Sequence, residues 1–392
     1  MKKTLAAVAV LGAFAGSALA ADVTIYGRID TGLQYTNTET TDNQGVTVED
    51  TAFKMVSGGS TTSRLGIKGS EQISENLTVG FVLEKGLTID DGTSSNDTMF
   101  DRESTVWAKT NFGTVYAGRI SSLMSDGGSM AMWGKHVAFG SGTGGSFGAG
   151  YTLLATQSRA SNRISYMSPE FAGFKVAAEY SMGGGTYGEY KGEVSTEENT
   201  REYDREAALG VEYNNGAFGG SFVVATVFED DFYSSVTGDD GVGKLDHDGH
   251  GKDPKDQWTV SLAADYDFGV AKVYVAGQYF KDANTVGTFE ELSALSGCDE
   301  LEGYGFVVGA DVPLAGGLLT VGGAYTDGED KGESEIEFDG WNVGAQYKYQ
   351  LSKRTRVYAT VGYTSLEADH RDYKDAEEYK YWGGNVGIAH YF

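Results

Sequence analysis

The sequence predicts an all-β fold, a roughly 16-stranded antiparallel transmembrane β-barrel with short periplasmic turns and long outer loops. Three observations lead there. Apolar and polar residues alternate with period two over stretches of about ten residues, the length of a tilted strand crossing a bilayer. The connections between these stretches are of two kinds, short and long, and the two kinds alternate. The last strand, NVGIAHYF, is amphipathic and stops on an aromatic: Val386, Ile388, His390 and Phe392 share one face, and Gly387, Ala389 and Tyr391 share the other.

The chain opens with an export signal. Lys2 and Lys3 precede an apolar stretch from Leu5 to Phe14, and Ala18-Leu19-Ala20 has the small-x-small form of a cleavage site. Residues 1–20 are therefore expected to be a signal peptide and 21–392 a single barrel. That stretch is too short for a spanning helix, and no later window of about 18 apolar residues occurs. With 3 Pro and no linker or shift in composition, the 392 residues read as one unit. An exported chain of amphipathic strands belongs in the outer membrane of a Gram-negative bacterium.

Loss of Lys2 and Lys3 with the leader takes the net charge from −26 to −28. Such a chain is no partner for nucleic acid, whose phosphates need Lys and Arg; it fits solvated acidic loops. Cys298 is the sole cysteine, so there is no intrachain disulfide, and it is expected in a loop without a structural role.

The strands follow in order of clarity. In Leu77–Glu84, Leu77, Val79, Phe81 and Leu83 oppose Thr78, Gly80, Val82 and Glu84. Between positions 341 and 350, Trp341, Val343, Ala345, Tyr347 and Tyr349 face outward; Asn342, Gly344, Gln346, Lys348 and Gln350 face inward. Between 271 and 279, Val273, Val275 and Tyr279 oppose Lys272, Tyr274 and Gln278. A soluble sandwich would also alternate, but its strands are shorter and lack aromatic residues grouped at their ends.

Short Gly-, Pro- and Asn-rich turns are expected at 71–76, 111–113, 169–173, 214–217, 267–269, 313–317 and 352–354. Long connections are expected at 37–50, 90–100, 121–160, 183–205, 229–256, 281–302, 327–339 and 367–378. About eight long and seven short connections require about sixteen strands, with both chain ends on the short-turn side. A barrel of that size encloses water.

Several segments resemble the general diffusion porins, in the branch that includes the neisserial and related proteobacterial proteins. They are VTIYGRIDTGLQY (23–35), SRLGIKGSEQISENLTVGFVLEKG (63–86), FDRESTVWAKTNFGTVYAGR (100–119), SNRISYMSPEFAGFKVAAEYS (161–181), YQLSKRTRVYATVGY (349–363) and the NVGIAHYF terminus. The resemblance implies a homotrimer of sixteen-stranded barrels, each with an inward-folded third loop, acting as a passive channel for small hydrophilic solutes and ions without a cofactor. It also implies contact with outer-membrane lipid and lipopolysaccharide, and a role for Phe392 as part of the signal read by the barrel-insertion machinery.

The resemblance places the third loop at 121–160, the longest connection. It contains Trp133, a Gly-rich run at 140–150 and little charge, which suits burial inside the pore. Alternation in SRLGIKG turns Arg64 and Lys68 into the lumen and Leu65 and Ile67 toward lipid. Arg28 and Asp30 alternate into the lumen in the same way. The resemblance sets Arg64 and Arg102 on the wall facing the third loop, with Arg159 or Arg163 near a further wall arginine. Fixed charge at a constriction selects ions by sign; arginines in a polar interior can also be plain lumen residues, or snorkel toward an interface.

The family commonly opposes such arginines with acidic residues on the third loop. Here Asp126 is the only carboxylate between Arg119 and Ala160, beside Lys135 and His136, so cation preference does not carry over. DHDGHGKD, which contains Asp246, His247, Asp248, His250 and Asp253, lacks the full twelve-residue calcium loop and its closing Glu, and reads as solvated charge. No metal site is expected. An enzyme is the rival class, since some outer-membrane barrels are hydrolases; the chain has 5 His and no GxSxG, CxxC or HExxH. A substrate-specific channel would need aligned lumen aromatics, whereas Tyr26 and Tyr274 are scattered.

Overall fold

The computed structural model describes residues 22–95, 98–140, 151–157, 159–183, 205–228, 234–238, 241–245, 255–332, 335–371 and 375–392. Residues 1–21, which include the expected leader, 141–150 of the Gly-rich run, most of the 183–205 connection and the DHDGHGKD segment lie outside the described residues.

The strands are β1 (Asp22–Thr41), β2 (Thr47–Ser57), β3 (Arg64–Ser74), β4 (Leu77–Gly86), β5 (Glu103–Thr110), β6 (Gly113–Ser121), β7 (Arg159–Met167), β8 (Phe174–Ser181), β9 (Arg205–Asn215) and β10 (Phe218–Phe228). They continue with β11 (Ser234–Gly238), β12 (Gly241–Leu245), β13 (Gln257–Asp267), β14 (Lys272–Ala283), β15 (Leu301–Leu314), β16 (Gly317–Asp330), β17 (Ile336–Gln350), β18 (Thr355–His370) and β19 (Glu377–Tyr391). β11 and β12 form a separate hairpin in the connection between β10 and β13. All the others join one antiparallel sheet. β2 and β3 pair with successive parts of β1 and so share one position in the wall, which makes the barrel 16-stranded. β1 pairs with β19 and closes it, leaving no open edge in lipid.

Alternation positions the walls as expected. Leu209, Val275, Phe306 and Val343 are exposed on the lipid face, while inward neighbours such as Ser261, Thr360 and Gln346 are buried. Phe392 closes the seam. Its N–H and C=O both bond to Gly27 at 3.1 Å, and its ring lies where a Gly27 side chain would sit, 2.6 Å from an ideal Cβ.

All seven short turns are found, but the outer loops need correction. β1 and β2 run through most of 37–50 and turn only at 42–46; β16 and β17 take up most of 327–339, and β18 and β19 half of 367–378. Above the bilayer both faces of a strand meet water. The apolar half of the alternation then has no reason to persist, although the backbone ladder continues. A second departure lies at 58–63, where the GGSTTS run splits β2 from β3.

Cys298 also departs from expectation. It is in a connection, but only 7% exposed, inside an apolar cluster with Leu292, Leu295 and Leu301. His370 ends β18 instead of lying in a loop.

Candidate functional site

The inner wall has two unlike halves. On β1, β3 and β4 stand Arg28, Arg64 and Glu84, Arg102 directly precedes β5, and β7 begins with Arg159. Arg28 and Arg64 are direct cross-strand partners. Like charges in that position repel, and the local structure offsets this in two ways. The split in the second wall position turns the Thr62 carbonyl inward, where it accepts from Nε of Arg28 at 3.0 Å and of Arg64 at 3.3 Å. Glu84 Oε1 then accepts from Arg64 Nη1 at 3.0 Å and Arg102 Nε at 2.8 Å, while Tyr26 donates to Oε2 at 3.0 Å.

Arg159 donates from Nε to the Arg102 carbonyl at 2.9 Å and lies within electrostatic reach of Arg102 and Glu84. Four guanidinium groups thus gather about one carboxylate, and the patch is net positive. Lys68 extends it toward the turn side, with Nζ 5.2 Å from the centre of the Tyr26 ring.

Asp30 faces inward as expected, yet is fully buried and presents no charge to open water. Its Oδ2 accepts from the N–H groups of Ser60 and Thr61 at 3.0 and 2.8 Å, and its Oδ1 from Tyr358 at 2.6 Å. It holds the 58–63 segment whose Thr62 carbonyl spaces the arginine pair.

Arg163 is likewise placed apart from Arg64 and Arg102. Its side chain is fully buried, between Glu179 at 3.4 Å and Glu206. The Leu123 N–H bonds to Glu179 Oε1 at 3.2 Å, so the third loop covers this pair.

The third loop lies against the polar faces of β9, β10 and β13–β17. His136 Nδ1 is 2.5 Å from Asp265 Oδ2, and Nε2 is 3.3 Å from Glu212 Oε1. Burial lowers the affinity of this imidazole for a proton, but hydrogen bonds and charge from Asp265 and Glu212 outweigh burial and the net shift is upward. Lys272 and Lys175 neutralise the same carboxylates from the wall. Further along, Thr326 donates to the Leu153 carbonyl at 2.7 Å, and Asn342 Nδ2 to Thr152 Oγ1 at 3.2 Å.

Between these contacts the wall beneath is reduced to small residues. An ideal Cβ on Gly210 would lie 2.7 Å from Met132 Sδ, and one on Gly309 2.3 Å from Ala138 Cβ. Ala177, Ala208, Ala225 and Ala263 complete this floor. Asp126 sits on the loop beside a polar cavity of about 340 Å³ lined also by Lys135, Asp311 and Lys348, away from the arginine patch.

Sequence reasoning missed Glu84 and Thr62 as parts of the patch. Glu84 was readable as inward. The polar GGSTTS run between two strands was a signal of a break, though not of where its carbonyl would point.

The profile of the Gram-negative porin family matches residues 6–369. An outer membrane porin protein of Bordetella pertussis is 27% identical, with all of both chains covered. Outer membrane porin protein 32 of Delftia acidovorans is 28% identical over 93% of this chain and 89% of its own. Major outer membrane protein P.IB of Neisseria sicca is 29% identical over all of both. Among solved structures, an anion-selective porin from Comamonas acidovorans superposes with a TM-score of 0.63 at 24% identity, covering 95% of this chain and all of that one. OmpT of Vibrio cholerae, solved in a trimer form, gives 0.57 at 17% identity over 95% of this chain and all of its own. Likeness at this identity speaks to the fold alone.

Proposed function

Since the chain belongs to the Gram-negative porin family, its barrel is a diffusion channel of the outer membrane, and we propose that its narrowest stretch runs between the third loop and the arginine patch. Small hydrophilic solutes and ions pass there down their gradients. The reading includes no chemical step and no cofactor. The observation that carries it is the directly opposed pair Arg28 and Arg64, held apart by the Thr62 carbonyl and flanked by Glu84 and Arg102. Holding like charges together against repulsion makes sense where fixed positive charge must face a water path.

The sign of selectivity follows from screening. At roughly 0.1 M salt the Debye length is about 10 Å, so the acidic outer surface still favours cations in the mouth; at 1 M it is about 3 Å, and only charge lining the narrow stretch acts. Preference should therefore shift toward anions as salt rises. Reversal potentials under a salt gradient, at both levels, test this for the parent and for Arg64→Ser with Arg102→Ser. The double variant should lose the shift and become more cation-selective. Unchanged potentials at both levels would make these arginines bystanders.

The finer assignments rest on family likeness. The working unit is a homotrimer in contact with lipid and lipopolysaccharide, made from a precursor whose residues 1–20 are removed. A trimer band in unheated gels checks the first. The insertion machinery reads the terminal strand, and Phe392 contributes both to that signal and to the seam with Gly27; deleting it should lower the yield of folded trimer.

A further inference from the structure

The inner face of a water-filled barrel should be polar, and over most of this wall it is. Near the outer rim of β14–β18 it is not. Phe280, Phe338 and Leu366 point inward and are 0–3% exposed. They are covered by the connection between β14 and β15, which folds back into the mouth as two short 3₁₀ turns, Gly287–Glu291 and Ser293–Leu295. Phe289 packs edge-on against Phe338, with ring centres 4.9 Å apart, and Leu292 is fully buried beside it. Thr288 donates to the carbonyl of Thr152 at 3.0 Å, which seats this strap on the returning arm of the third loop. Burying inward apolar surface that would otherwise line a wet vestibule favours the closed position of the strap.

A single carboxylate fixes its far end. Glu377, at the start of β19 and 5% exposed, accepts from the Ser293 N–H at 2.9 Å, the Ser293 hydroxyl at 2.9 Å and the Ala294 N–H at 2.6 Å. The strap leaves β14, reaches β19 and returns to β15, so it crosses the intervening part of the rim. Its upper side carries exposed Glu290 and Glu291.

We infer that this strap is a second, outer size filter, and that Glu377 is the positioning residue that holds it across the mouth. It confines entry to the side of the barrel that carries the arginine patch, so solutes are sorted by size before they meet fixed positive charge. The inference rests on the channel reading given above. Cys298, the chain's only cysteine and 7% exposed at the strap's end, supplies a reporter that needs no transport.

The experiment compares the full mature barrel with Glu377→Ala and Glu377→Gln. Labelling of Cys298 by a bulky hydrophilic maleimide is timed on folded protein in detergent, against the urea-unfolded chain as the fully reactive reference. Liposome swelling then gives the rate for a trisaccharide relative to a monosaccharide. Losing the acceptor of three hydrogen bonds should speed labelling by about tenfold or more and raise the relative trisaccharide rate; Gln, which keeps one acceptor oxygen, should fall between. Equal labelling of parent and Glu377→Ala overturns the anchoring role, and faster labelling with an unchanged sugar ratio overturns the filter. A barrel that labels as expected yet conducts nothing counts against the channel reading instead. If Glu377→Ala does not fold, Leu292→Ser releases the strap from its apolar side and is judged by the same two measurements.

Discussion

The two halves of the inner wall obey the same alternation and end in opposite states. On β1–β5, inward positions carry Arg28 and Arg64, which stay partly exposed, around the buried carboxylate of Glu84. On β9–β16, the equivalent positions are Gly210, Ala225, Ala263 and Gly309, and a loop occupies the space that side chains would have filled. Facing inward is thus not the same as facing water. What decides is whether the inward residues leave room for a covering segment, and Arg163 shows the consequence. It has the same inward orientation as Arg64, but its neighbourhood is covered by Leu123, so its charge serves an internal ion pair.

The largest expected effect separates these two arginines. Arg163→Met leaves Glu179 buried beneath the loop without its partner, a change that costs about 3–5 kcal/mol in comparable buried pairs. Arg64→Met removes a repulsion with Arg28 and leaves Glu84 still bonded to Arg102 and Tyr26, so its cost should stay well below that of Arg163→Met. Unfolding in denaturant, followed by the heat-dependent shift in gel mobility, measures both. Similar losses would remove the distinction between the halves.

A smaller effect is expected at the floor. Gly309→Leu puts a branched side chain where a Cβ alone would already meet Ala138 at 2.3 Å and the Val321 carbonyl at 2.8 Å. Overpacking of this kind costs about 1–3 kcal/mol. It should also press the loop toward the arginine patch and reduce single-channel conductance. A parent-like conductance together with a parent-like melting point would mean that the floor and the loop are not in contact.

The smallest effect concerns His136. Its proton affinity is raised in the folded state, so protonated His136 adds stability fully below about pH 6.5, its unfolded value, and this is lost as pH rises through the higher folded value. Melting measured across that window should fall in the parent by more than in His136→Asn, in which the ring no longer titrates. Identical slopes would show that the Asp265 and Glu212 contacts do not depend on the proton.

Much of the barrel was legible because a membrane imposes a simple rule on strands that cross it. The lipid-facing sets in β4, β14 and β17 were read directly, and so were the seven turns, whose Gly, Pro and Asn residues meet local needs. The outer reaches of β1, β16 and β18 were not, since residues such as Glu39, Glu329 and Asp369 are polar on a wet surface whatever the backbone does. Of the site, the direction of Arg28, Arg64 and Lys68 could be read from parity. That Arg163 and Asp30 would be enclosed could not, because a covering segment far along the chain decides it.

The sequence by itself determined the class of fold, the in-or-out sense of residues in its most regular strands and the family. Each of these depends on short-range patterns: period two, turn chemistry and motifs in order. Only the tertiary structure decided which inward charges meet the passage. It placed the Thr62 carbonyl between two arginines, the third loop over Arg163, and Glu377 beneath a strap from four strands away. These are contacts between residues remote in the chain, and they form only when the closed wall brings distant strands to face one another across a shared interior.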